Sequence, residues 1–258
     1  MGKAKHFSLR RGNAPIFPQG RDTMVLVLTW AASGVDAISY LGLGHVFTAN
    51  MTGNTVLLGL AIGQGQGLAA LRSIIALVGF AVGAALGAVI VEKGIYPADW
   101  PATVTRAMWM EGIILAVFGV TWHLGARNGA ILYALITLSA LAMGIQSAAI
   151  RHLKVPGVAT TYITGTLTSM MAEFTTRLYR WRISPLAADP TGESVVPDVP
   201  PARRHHGARL QALVVLVYIL AAVVSAFLQS RHSRLVTLSP LIAVGLVALN
   251  ASLRHPRK

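Results

Sequence analysis

Residues 35–61 read VDAISYLGLGHVFTANMTGNTVLLGLA, and residues 142–168 read AMGIQSAAIRHLKVPGVATTYITGTLT. Shifted by 112 positions, the stretches 37–53 and 149–165 share Ala37/Ala149, Ile38/Ile150, Leu41/Leu153, Val46/Val158, Thr48/Thr160, Thr52/Thr164 and Gly53/Gly165, seven identities in 17 gapless positions. Composition alone does not produce that agreement. Each copy carries an apolar run, a short break (GLGH, then KVPG) and a Thr-rich segment around a Thr-Gly-polar step, followed by two more apolar runs. The chain therefore reads as two related halves, repeat 1 about 24–125 and repeat 2 about 130–253. Internal repeats that meet near the middle of a bilayer are a recurring plan of membrane carriers.

Working outward, the 258 residues are 54% hydrophobic and only 12% charged, about half the charge of a typical soluble domain. Apolar runs fall at 24–44, 46–63, 71–92, 105–125, 130–151, 158–176, 210–229 and 235–253. A helix of ~20 apolar residues crosses ~30 Å of hydrocarbon, and six of the runs meet that length convincingly. The runs at 46–63 and 158–176 are marginal. None alternates in the manner of a barrel strand. The expected fold is an all-α polytopic membrane protein, with two repeats of four membrane-embedded segments each. It has either six full spans plus two re-entrant or broken helices, or eight spans. A single transmembrane domain covers 24–253, preceded by a basic cytoplasmic N-terminus at 1–23 and followed by a basic tail at 254–258. A Pro-rich linker at 178–208 interrupts repeat 2, its prolines opposing both helix and sheet.

The net charge of +13 is topological. Lys and Arg stay on the cytoplasmic side of a membrane protein. With eight spans, 16 of the 22 cations share one side; with six spans, 18 do. Both arrangements put both termini in the cytoplasm. The six-span arrangement also makes the halves inverted, since each then contributes three spans.

The two blocks resemble those of the YoaK-type bacterial membrane proteins, a family of unknown function. The resemblance rests on Asp36, Tyr40, Phe47, Asn50, Met51, Thr52, Gly53 and Asn54, then on Gly144, Gln146, Ser147, Thr161, Thr164, Gly165 and Thr166, and it runs over about 22–253. Ser147 departs from the Asn commoner there. The resemblance implies a multi-pass protein of the bacterial inner membrane and carries no established activity.

The polar residues inside the runs are the candidate site. A carboxyl such as Asp36 costs about 2.5–3.5 kcal/mol to insert at mid-span, so it must face a cavity or a donor. Asn50 and Asn54 stand four apart, on one face of a turn, and Thr48, Thr52 and Thr55 line another. Two readings stay open: polar glue between helices, or the lining for a small polar solute or dehydrated cation. Gly53 and Gly165 permit a helix break that would offer free backbone groups to a ligand. The substrate- or ion-binding candidates are thus Asp36, Asn50, Thr52, Gly53, Asn54, Gln146, Thr161, Thr164, Gly165 and Thr166, with an Asp36–Gln146 contact expected between the halves. Glu111 is expected to pair with Arg106 near the interface. Gly79, Gly83 and Gly87 form a G-x-x-x-G-x-x-x-G ridge suited to helix packing.

No cysteine is present, which excludes disulfides and thiolate chemistry. No zinc-protease, nucleophile-elbow or P-loop motif occurs, so the chain is not expected to be an enzyme. No cofactor or metal is expected. The expected partners are the lipid bilayer, a small polar solute or cation, and further copies of the chain; the basic stretch at 203–206 lacks the interleaved aromatics of a nucleic-acid binder. A transporter or channel is the reading favoured, with a structural or accessory membrane protein as the alternative.

Overall fold

The structure, a computed structural model, describes residues 20–92, 100–124, 129–155, 160–161, 163–183 and 201–254. Over these residues the chain forms eight helices and no strand: α1 (Arg21–Gly42), α2 (Met51–Gly63), α3 (Gly67–Glu92), α4 (Ala102–Leu124), α5 (Gly129–His152), α6 (Thr164–Ile183), α7 (Pro201–Arg231) and α8 (Leu238–Arg254). Five are long and apolar enough to cross a membrane: α1, α3, α4, α5 and the Arg209–Arg231 part of α7. α2 and α8 are shorter apolar helices. The N-terminal residues to 19, the linker from 184 to 200 and the tail from 255 lie outside the described residues. The helices reach further into the expected linker than its prolines suggest, α6 running to Ile183 and α7 starting at Pro201. Proline at the first helical position has no amide to lose there, so Pro201 opens a helix instead of blocking one.

The helices turn an inverted pattern outward. α3 buries Ala70, Ser73, Ala76, Gly79, Gly83 and Gly87, while Leu71, Ile74, Val78, Val82, Leu86 and Val89 are exposed on its other side. Water would penalise that exposed stripe, whereas lipid does not, and small residues let backbones approach where no hydrophobic effect drives helices together. The architecture is that of a polytopic membrane protein.

The glycine ridge packs against α5. Gly79 faces Thr137 and Ala140, Gly83 faces Leu141, and Gly87 faces Ile145 and Ala148, so α3 and α5 run parallel. α1 packs in the same way on α7, with the Ser33 hydroxyl donating to the Tyr218 carbonyl (2.6 Å) and Gly34 close to Ser225. α4 and α8 are antiparallel: Trp109 Nε1 donates to Ser252 Oγ (3.0 Å), Gly112 faces Val244 and Gly119 faces Thr237. Trp122 near the end of α4 lies over Gly42 at the end of α1, and its indole donates to the Ser233 carbonyl (3.0 Å).

The region read as 46–63 divides in two. Residues 43–50 are non-helical, and α2 has 13 residues, about 20 Å, too short for ~30 Å of hydrocarbon. Gly44, His45, Leu60, Gln64, Ala69 and Arg72 share a cavity of ≈ 320 Å³, and Arg72 Nη1 donates to the Gly44 carbonyl (3.1 Å). α2 therefore finishes beside the end of α1 from which the chain set out.

Candidate functional site

At the break after α1, the backbone turns through two left-handed residues, Gly44 (φ +83°) and His45 (φ 61°). The chain then runs alongside α1, where Thr48 and Ala49 are buried and their amides need acceptors. Asp36 supplies them. Its Oδ1 accepts from the backbone N–H of Thr48 (2.8 Å), Ala49 (2.7 Å) and Asn50 (3.4 Å), and its Oδ2 accepts from the Tyr218 hydroxyl (3.0 Å). The carboxyl is buried, 4% exposed. A carboxylate held by several N–H donors at a helix entrance is a favourable arrangement, because the aligned amides there carry partial positive charge.

The neighbouring amides of the Thr-Gly block are also engaged. Asn50 is the N-cap of α2, its Oδ1 accepting from the Gly53 N–H (3.2 Å). Asn54 grips Phe47 from both sides, Oδ1 accepting from its N–H (2.9 Å) and Nδ2 donating to its carbonyl. Phe47 stacks on Tyr40, ring centroids 4.9 Å apart. A Cβ on Gly53 would come within 2.9 Å of the Phe47 ring, so the glycine is what admits it. Thr52 is exposed on the outer side of α2. Asn50 and Asn54 thus bind backbone, not each other's face of a lining, and the broken helix presents amides already capped by the protein's own side chains.

At the second break the anchor is Gln146, two residues before Ala148, the position that the 112-residue shift pairs with Asp36. Gln146 Nε2 donates to Thr160 Oγ1 (3.1 Å) and to the Leu28 carbonyl of α1 (3.0 Å), while its Oε1 is buried without a partner. Ser147 and Thr161 share a hydroxyl–hydroxyl hydrogen bond (3.3 Å). Thr160, Thr161 and Thr166 are buried, Thr164 is exposed and Gly165 is half-buried. Thr48 and Thr160 align under the 112-residue shift, and each is tied by a polar side chain to the helix before it.

The expected Asp36–Gln146 contact is not formed. Gln146 meets α1 at Leu28, eight residues before Asp36, or about 12 Å along a helix rising 1.5 Å per residue. The two anchor points lie on either side of the middle of α1, which runs from 21 to 42. The structure thus holds two separate polar centres, one at Asp36 with Asn50, Gly53 and Asn54, the other at Gln146 with Thr160 and the nearby Thr161.

Two residues go beyond the sequence reading. Tyr218 donates to Asp36 from 182 residues away, a distance at which no local pattern could announce it. Glu111 does not pair with Arg106. It is fully buried, both carboxyl oxygens lack a partner, and Arg106 is exposed. Five helical residues are about 140° around the axis, which sends the two side chains to different faces. Glu111 is the tenth residue of the 23 in α4, near the helix middle, because α4 starts at Ala102, three residues before the apolar run expected at 105–125.

Known proteins resemble the chain along most of its length. The family model described as a protein of unknown function (DUF1275) matches residues 24–252. The chain is also similar to the UPF0700 transmembrane protein YoaK of Bacillus subtilis (strain 168), 32% identical over 234 residues, which is 91% of this chain and 95% of that protein. No solved structure matches. The family match takes in both breaks, their anchors and Glu111, and on that extent the chain belongs to the DUF1275 family of transmembrane proteins of unknown function.

Proposed function

We propose that the protein is a carrier or channel of the bacterial inner membrane for a small polar solute or cation. It is built from two inverted halves of three spans and one re-entrant segment each, with both termini cytoplasmic. The observation that carries this reading is the pair of breaks. Each follows a spanning helix and is tied back to it by a polar side chain at its Thr48 or Thr160. Irregular backbone at membrane depth is tolerated only inside protein or along a water-filled cavity, and in carriers it marks the solute path. The inverted repeat has further support in the helix pairing, where exchanging α1–α4 with α5–α8 turns the α3–α5 packing into α7–α1 and leaves α4–α8 unchanged.

Topology is tested at Gln66, exposed in the turn between α2 and α3. In this reading a Gln66→Cys variant of the cysteine-free chain reacts with a membrane-impermeant thiol reagent from the periplasmic side of intact cells. Labelling only after permeabilisation means eight spans and removes the inverted arrangement. Function is tested by flux of a panel of small polar solutes and monovalent cations into vesicles holding the purified protein. Flux of at least one is expected above protein-free vesicles, and Asp36→Asn is expected to abolish it while leaving expression intact.

A second reading, an accessory protein that organises partners in the membrane, is favoured by one observation: Asp36, Asn50 and Asn54 all satisfy backbone groups of the chain itself. It is the better account if no solute of the panel crosses and the protein co-purifies with a fixed complex.

A further inference from the structure

We propose that Glu111 is a proton-exchange site, a carboxyl at mid-membrane that takes up and releases a proton as the protein works. The proposal rests on the carrier reading for its physiological use, though not for its chemistry. Asp36 shows what a carboxyl that builds this fold looks like, with four donors around its two oxygens. Glu111 is equally buried and has none. An isolated carboxyl in an apolar interior weakens the fold relative to an apolar side chain of similar size. Folding therefore gives no reason for a carboxyl at this position.

Its surroundings select the proton among cations. Met108 and Leu115 stand on the same face of α4, and both belong to the core that contains Leu28, Met143, Val244 and Val247. A metal cation in place of its hydration shell needs several oxygen ligands, which that shell does not offer. A proton needs only the carboxyl. The ionisable groups of the helices packed on α4 stand towards helix ends: Arg72 and Glu92 on α3, Tyr133, Arg151 and His152 on α5, and Arg254 on α8. On α4 itself there are Arg106 and His123. None bonds Glu111, and Asp36 on α1 is held by its own donors. Opposite α4, buried atoms without partners occur on both sides of the level of Gly112 and Val244: Thr237 Oγ1 just before α8 and Asn250 Nδ2 towards its far end. Such groups are where a short relay of waters finds hydrogen-bond partners.

The test is modification by an apolar carbodiimide, dicyclohexylcarbodiimide, of the purified protein in lipid vesicles, read by peptide mass spectrometry. A protonated carboxyl adds its O–H across the reagent's C=N bond to give an O-acylisourea, which rearranges to a stable N-acylurea with no leaving group. Glu111 is expected to be modified, and the modification to fall about tenfold per pH unit once the pH passes its titration point. A water-soluble carbodiimide is expected to modify it far more slowly. Glu111→Leu is expected to raise the unfolding temperature, as a group without a bonding role should. Absence of modification at any pH that leaves the protein folded, a yield independent of pH, or a lower unfolding temperature in Glu111→Leu overturns the proposal. Because the labelling needs no substrate, a failed flux panel beside pH-dependent labelling rejects the carrier reading alone.

Discussion

Asp36→Ala is expected to lower stability by about 4 kcal/mol or more, the largest loss for a single side chain at either break. Two short amide bonds, from Thr48 and Ala49, and the Tyr218 hydroxyl all end on this carboxyl. Each buried donor left without an acceptor costs roughly 1–3 kcal/mol. Asp36→Asn keeps an oxygen for the amides, and its new NH₂ can donate to the Tyr218 oxygen instead of accepting from it, so its loss should be about 1–2 kcal/mol. Chemical unfolding of the two variants in detergent, followed by intrinsic fluorescence, separates them. Equal stability of the Ala and Asn variants would show that the amides find other acceptors and that Asp36 is no clamp. The contrast also serves the flux test, because Asp36→Asn can then remove activity from a protein that is still folded.

Gly83→Ala and Gly144→Ala should each prevent the close seating of α3 on α5. A Cβ at Gly83 would overlap the carbonyl group of Leu141, and one at Gly144 would overlap the Phe80 carbonyl and come within 2.7 Å of the Ala84 nitrogen. These are backbone atoms, which cannot rotate aside as the end of a side chain can. Overpacking typically costs 1–3 kcal/mol, and about 3 kcal/mol or more is expected here because relief requires moving a whole helix. Gly59 on α2 is the internal control, since a Cβ there meets nothing within 4 Å. Gly59→Ala should be neutral or stabilise by about 0.5–1 kcal/mol through helix propensity. Thermal unfolding of all three in one detergent gives the comparison. A Gly83→Ala variant matching Gly59→Ala would mean that the two helices do not pack as described.

The helices were legible where a run was long and uniformly apolar: 71–92 became Gly67–Glu92, and 130–151 became Gly129–His152. The break after α1 was legible only as a polar, glycine-containing interruption. Its extent over 43–50 follows from Asp36 and Asn54 binding backbone that a helix would have kept for itself. The spacing of the candidate residues left polar glue and a solute lining both open, and in the structure Asp36, Asn50 and Asn54 bond backbone groups of the chain. A hydrogen-bonding side chain looks the same in a sequence whether its partner is a solute or the next turn of chain. Glu111 shows the converse. Its distance from Arg106 invited pairing, and helical phase put the two on different faces.

By itself, the sequence determined the solvent, the helical class and the polar, glycine-containing places at which the apolar runs are interrupted. These depend on composition and on short-range order, which bilayer thickness and backbone hydrogen bonding translate directly into length and secondary structure. The tertiary structure alone decided that Tyr218 closes on Asp36, that Gln146 reaches Leu28 and not Asp36, and that Glu111 stands buried without a partner. Those outcomes depend on which faces of distant helices meet, and that is set by the close approach of Gly83 and Gly144 and not by any neighbour in the chain.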